Sequence, residues 1–254
     1  GGSGTFSGII TDALNLLSLV KAGGGTQTLS GANTFTGATT VNAGTLALDY
    51  TSQNNTKLSD TAALVLGGGT LDLAGGSHTE VVSATTLNTG ASAVTRSSGA
   101  GVLRMNAIAR NAGASIDFGA SGIAETDTSN DANGILGPWA TIGGSNWAVS
   151  AAVAADTPIT AYAAYTDVTR RDSGSQVITN GTTCNVRIVE GTGTPGSITL
   201  GSSTTAINTL NQSVSGGTSL ATLDIAGRTL AVNSILAATG SDGLTIGAGG
   251  TLKS

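Results

Sequence analysis

His78 and Glu80 lie two residues apart in the stretch GGSHTE. In an extended strand that spacing puts an imidazole and a carboxylate on one face, the pairing on which general acid and base chemistry is built. No nucleophile motif accompanies them, and a lone His beside two glycines reads as an exposed turn residue. Glu125, Asp127 and Asp131 in ETDTSNDANG offer oxygen ligands of the kind Ca²⁺ takes. They lack the spaced acidic residues and closing Glu of an EF-hand, the chain has no glycine-rich calcium repeat, and the stretch reads as a solvated loop. Trp139, Trp147, Tyr162 and Tyr165 would make either a sugar-stacking platform or, the favoured reading, a small apolar patch that anchors an elaboration. Cys184 falls in a β-rich stretch and is expected to be buried and inert. Asp49, Asp72, Asp117 and Asp224 stand alone, whereas a polysaccharide-cleaving enzyme needs paired carboxylates on neighbouring strands. No catalytic residue, cofactor-binding residue or metal ligand is therefore assigned, and no cofactor is expected.

The elements that would position these groups follow from composition. Only 10% of the 254 residues are charged, 39% are hydrophobic and 3% aromatic, and the mean hydropathy is +0.20. That balance supports a folded chain rather than a disordered one. The apolar residues are small or aliphatic, which calls for a narrow core of thin layers. The net charge of −5, with basic residues scattered apart from Arg170-Arg171, leaves no footprint for nucleic acid. A single Cys cannot form an internal disulfide, and Cys-poor, Thr- and Gly-rich composition fits an exported bacterial protein. The longest apolar run, ALNLLSLV at residues 13–20, is too short to span a bilayer. The chain opens on GGSG without Met or an apolar leader and is expected to be a fragment or a processed product.

A loose repeat organises the whole chain. Gly-x-(Leu or Val)-x-(apolar) occurs as GTLAL, GTLDL, GVLRM and GLTI, beginning at Gly44, Gly69, Gly101 and Gly243. Relatives begin at Gly113 (GASIDF), Gly196 (GSITL) and Gly227 (GRTLAV). Each reads as a short strand entered through a turn, with apolar residues alternating against Thr, Ala, Asp or Arg. The copies are roughly 15 to 30 residues apart, as in a solenoid whose loops vary in length. Stacked coils place like residues ~4.8 Å apart, so charges in register repel along a column, while Thr, Asn and apolar residues stack without that cost. The expected fold is all-β: a right-handed parallel β-helix of roughly nine to eleven coils with very little helix. Leu46, Leu48, Leu71, Leu73, Ile116, Leu223, Ile225, Leu230 and Val232 are expected to point inward. A β-rich elaboration is expected around residues 120–190, including a tight hairpin at Asn180-Gly181 within VITNGTTCNVRIV. The division expected is residues 1–120 as β-helix, 121–190 as its continuation with the elaboration, and 191–254 as C-terminal coils. Asp12, Leu14, Leu17 and the glycines at 23–25 suit either a capped helix over a solenoid end or a buried strand followed by a turn.

The stretch GGGTQTLSGANTFTGATTVNAGTLAL, with its core at residues 28–48, resembles the autotransporter-associated β-strand repeat, also called the passenger-associated transport repeat. The preceding GTFSGIITDALNLLSLVKAG is similar to the segment that leads into that repeat. ALVLGGGTLDLAGG and GPWATIGGSNWA resemble downstream stretches less distinctively. Phe35 stands where Tyr is more usual, and the lead-in is more apolar than expected. The resemblance implies a β-helical passenger segment of a large exported bacterial protein at the cell surface, and it implies no catalytic residue. The expected role is structural or adhesive, with surface glycans or other cells as partners. The strand pattern continues to the last residues, which raises a second possibility, copies of the chain stacked end to end in a filament. A carbohydrate-active enzyme on the same fold is the third reading. No nucleic-acid partner and no membrane span are expected in this segment.

Overall fold

Leu46 stacks on Leu71, Leu71 on Val94, Val94 on Phe118 and Phe118 on Ile142, each pair in parallel register, and this apolar column is the axis around which the first part of the chain winds. A computed structural model describes residues 2–12, 15–150, 156–170, 176–194, 196–215 and 220–254. The described residues form strands and no helix, in a β-solenoid of about ten turns; none therefore forms a helix long and apolar enough to cross a membrane.

The chain divides into two compact units. The first comprises residues 1–130, 139–142 and 148–161. Its main wall is a parallel stack of Gly4–Phe6, Thr26–Leu29, Thr45–Asp49, Thr70–Ala74, Gly90–Arg96, Ala114–Phe118 and Ala140–Ile142. Thr45, Thr70, Ala93, Asp117 and Thr141 share one column, so a turn of the coil takes about 24 residues. A second wall stacks Leu19–Lys21, Thr39–Val41, Leu64–Leu66, Thr85–Leu87 and Ile108–Arg110. A third stacks Thr79–Val81, Val102–Arg104 and Ala124–Thr126. Period-two alternation turns Leu46, Leu48, Leu71 and Leu73 inward and leaves Thr45, Asp49, Thr70 and Asp72 partly exposed. Tight corners between walls need glycine: Gly44 has φ +64°, and a Cβ there would run into the carbonyl oxygens of Gly23 and Gly25 one coil below.

The parallel stacking is interrupted at the end of this unit. Residues 148–150 pair antiparallel with residues 159–161, and residues 125–126 with residues 157–158. These antiparallel pairs fall within the stretch around residues 120–190 where an elaboration was expected, while Thr166–Thr169 and Gly181–Val189 in its latter part pair in parallel.

The second unit comprises residues 131–138, 143–147 and 162–254. One wall stacks Thr166–Thr169, Gly181–Val189, Thr204–Gln212, Thr229–Ala237 and Thr251–Lys253, and the other Gln176–Ile178, Ile198–Leu200, Ala221–Asp224 and Leu244–Ile246. All these pairs are parallel. Its core includes Ile188, Ile198, Leu210, Leu223, Ile225, Leu230 and Val232, and half-buried Cys184 packs against it. All nine residues expected to point inward are at most 5% exposed.

Two expectations are corrected. Asn180-Gly181 does not fold a hairpin: the flanking strands Gln176–Ile178 and Gly181–Val189 lie in different walls and pair in parallel with the next coil. The Asn180 side chain accepts a hydrogen bond from the Ala206 amide at 2.7 Å, so this Asn-Gly pair turns a corner of the solenoid instead of reversing the chain. In the lead-in, Leu16, Leu17 and Val20 are exposed and it is Lys21 that is buried. Its ammonium donates to the carbonyls of Ala22, Gly23 and Ala43, where two coils turn together. The capped-helix alternative fails as well for the described residues: Asp12 accepts from the amides of Leu17 and Thr36 and from the Thr36 hydroxyl, tying two coils together. Leu14 and Arg171 lie outside the described residues.

A buried carboxylate as candidate functional site

Glu80 is the middle residue of strand Thr79–Val81, in register with Leu103 and through it with Ala124. Leu103 and Ala124 are core residues with no exposed surface, so the register carries the Glu80 side chain inward, and it too is fully buried. A lone carboxylate stacked on apolar neighbours would be costly, and an excursion of the chain between Asp49 and Leu64 relieves that cost. From it the Tyr50 hydroxyl donates to Oε2 at 2.7 Å, the Lys57 amide to Oε2 at 2.9 Å and the Leu58 amide to Oε1 at 2.8 Å. The Lys57 side chain is itself buried, its ammonium donating to Gln53 O and Asn55 Oδ1 at 2.7 Å each and lying 5.4 Å from the centre of the Tyr50 ring. Asn33 bridges the site to the coil below, accepting from the Ile10 amide and donating to the Lys57 carbonyl.

Burial dominates the titration of this group. It raises Glu80 to about 7, against the lowering effect of its three donors, with nearby Asp60 adding a further push upward. Burial also raises Tyr50 and lowers Lys57 and His78. His78 is half-buried, where an exposed turn residue was expected: its ring packs on Tyr50 with centroids 5.4 Å apart, and Nε2 lies 3.4 Å from the Thr56 hydroxyl. His78 and Glu80 thus share neighbours, but Glu80 is sealed from solvent with its oxygens occupied by donors, an arrangement that holds a loop and offers a substrate no access. Tyr50 and Lys57 were invisible to motif reading because they contact Glu80 from 30 and 23 positions away.

Most of the other candidates engage neighbouring groups of the chain. Glu125 pairs with Arg104 at 3.6 Å, and Asp131 caps the Asn133 amide at 2.8 Å. Glu125 and Asp127 belong to the first unit and Asp131 to the second. Among the described residues no three His, Cys, Asp or Glu side chains are grouped to hold a metal. Asp72 accepts from Thr95 and Ser97 of the next coil and Asp117 from Thr141, while Asp49 and Asp224 cap the amides of Thr51 and Ala226. Trp139 lies under the Arg110 guanidinium in the first unit. In the second unit Trp147 is buried, and its amide donates to the Tyr165 hydroxyl at 3.0 Å. The Tyr165 ring meets Tyr162 edge-on at 4.8 Å and carries the Arg187 guanidinium at 4.8 Å, which makes an anchor and leaves little ring face for a sugar.

The family described as passenger-associated-transport-repeat matches residues 19–48. That span holds two successive strands of each of two walls: Leu19–Lys21 stacked by Thr39–Val41, and Thr26–Leu29 stacked by Thr45–Asp49. The repeat is thus one coil laid upon the next, and the chain is one that carries an autotransporter-associated repeat. No curated protein and no solved structure matches the chain. The repeat and the β-solenoid fit a segment of an exported surface protein.

Proposed function

We propose that this chain is a non-catalytic structural element of an exported bacterial surface protein, a β-solenoid that supplies reach and a surface for adhesion. The observation that carries this reading is the apolar column from Leu46 to Ile142, continued coil after coil, while the most perturbed carboxylate, Glu80, is closed to solvent. An uncharged column stacked in register is suited to stiffness and display. Incubating the whole chain with acidic polysaccharides and assaying for reducing ends or unsaturated products tests it, and turnover would overturn it.

A second reading, end-to-end association of copies, is favoured by one observation. Phe6, Ile9, Leu16, Leu17 and Val20 of the first coil are 42–77% exposed, and on the last coil Leu252 is 48% exposed. Exposed apolar side chains at a strand edge favour pairing with another chain, and a head-to-tail contact between copies does not close. Electron microscopy at several concentrations decides it: fibres support the reading, and monomers throughout remove it.

A further inference from the structure

Strand Thr79–Val81 has a main-chain neighbour, Val102–Arg104, on one side only. On its other side lies the excursion of residues 50–63, and there the amides of Lys57 and Leu58 find the Glu80 side chain as their acceptor. The amides at the centre of the excursion are thus held by Glu80, with Asn33 gripping the Lys57 carbonyl from the coil below and Asn54 accepting from the Ser77 amide.

We propose that residues 50–63 form a pH-gated latch, closed while Glu80 holds a proton and released toward solvent as its carboxylate ionises, which uncovers Tyr50, Leu58 and His78 on the surface of the segment. The neutral acid keeps its amide donors, Oε1 accepting from the Leu58 amide at 2.8 Å and the Lys57 amide at 3.2 Å, while a proton on Oε2 is donated to the Tyr50 hydroxyl 2.7 Å away, whose own hydrogen then turns away from Glu80. The carboxylate keeps its donors but holds its charge in the core beside Leu103 and Ala124, while the Lys57 ammonium is directed to Gln53 and Asn55. Opening returns that charge to water. The other charged or titratable groups facing the site are Tyr50 and Asp49 where the excursion leaves its strand, Lys57 and Asp60 within it, and His78 before Thr79–Val81. Arg104 and Glu125, on the strands beyond, alternate with the inward residues Leu103 and Ala124 and pair with each other outside the core.

The sign follows from linkage. Burial raises Glu80 to about 7 in the closed form, whereas an open carboxyl titrates in its ordinary range. The open form therefore binds fewer protons between those values and gains population as pH rises, about tenfold from pH 6 to pH 8. Hydrogen exchange of the whole chain, corrected for intrinsic chemical exchange, reads this at the amides of Lys57 and Leu58, with those of Thr70–Ala74 as internal reference. Glu80→Gln is a permanent mimic of the neutral acid, its amide nitrogen donating to Tyr50 and its oxygen accepting from the excursion, and should abolish the rise. His78→Asn should retain it. A direct titration of the Glu80 carboxyl by ¹³C NMR in the unaltered chain should have a midpoint near that of the exchange change. The proposal is overturned if excursion amides exchange independently of pH, if Glu80→Gln leaves the rise intact, if His78→Asn removes it, or if the carboxyl titrates below pH 5.

Discussion

Leu71→Asp isolates what an apolar column demands. Leu71 is fully buried between Leu46 and Val94, which are 1% and 0% exposed. Loss of the leucine from a packed site costs about 2–5 kcal/mol. An Asp placed there must take up a proton to remain inside, which at pH 7 costs about 4 kcal/mol from an ordinary Asp pKa. Its unpaired acid group adds about 1–3 kcal/mol. Together these rival the roughly 5–15 kcal/mol that holds a domain folded, so the first unit should unfold at neutral pH. Leu71→Asn suffers the packing and polar losses but not the proton uptake. Its folded-state pKa raised, the Asp loses stability as pH rises through its unfolded value, so the two variants should differ by about 4 kcal/mol at pH 7 and converge toward pH 4. Urea denaturation followed by circular dichroism at both pH values measures the gap. A Leu71→Asp chain as stable as the parent at pH 7, or a gap that does not change with pH, would refute the reasoning.

In the second unit the side chains of Asn185, Asn208 and Asn233 form a ladder, with Asn208 donating to Asn185 at 2.8 Å and accepting from Asn233 at 3.0 Å. Asn208→Ala removes both bonds and leaves the Asn233 amide without that acceptor, and a urea midpoint should report a loss of about 2–4 kcal/mol. Gly44→Ala meets two carbonyls as well as a positive φ, whereas Gly23, with φ +77°, has open space around it. Gly23→Ala should therefore cost about 1 kcal/mol and Gly44→Ala distinctly more, compared by thermal melts. Asp12 is held below the usual carboxylate range chiefly by the Thr36 hydroxyl and amide. With its folded pKa depressed, its stabilising effect is present above the unfolded value and lost as pH falls through the folded one. Hydrogen exchange of the first coil should therefore rise on acidification in the parent and change less in Asp12→Ala.

The coil walls were readable because their information is local. In GTLDL the alternation of Leu71 and Leu73 with Thr70 and Asp72 states both the strand and its inward face, and the glycine before it states the corner. Asn180-Gly181 shows where local information stops. The pair specifies a turn, but whether the chain then reverses or passes to another wall depends on which strand waits beside it. Glu80 marks the same limit more sharply. Its sequence neighbours Thr79 and Val81 do not state which way it faces, and its register with Leu103 turns it inward. Its tolerance there comes from Tyr50, Lys57 and Leu58, which reach it across one turn of a coil whose loop lengths vary.

That cross-coil reach has a common physical origin. A solenoid whose loops differ in length cannot give every main-chain donor and acceptor a strand partner, and each orphan buried without one is costly. Polar side chains stand in for the missing strand: Lys21 for the carbonyl of Ala43, Asn33 for the Ile10 amide and Lys57 carbonyl, and Glu80 for the amides of Lys57 and Leu58. Each spans 22 to 24 positions, the length of one turn. Where the stand-in is an amide, as at Asn33, its hold on the next coil does not titrate near neutral pH. Where it is an acid sealed in the core, as at Glu80, the bond that allows a longer loop also makes that loop answer to protons, so loop variability and pH response enter the coil through the same substitution of side chain for main chain.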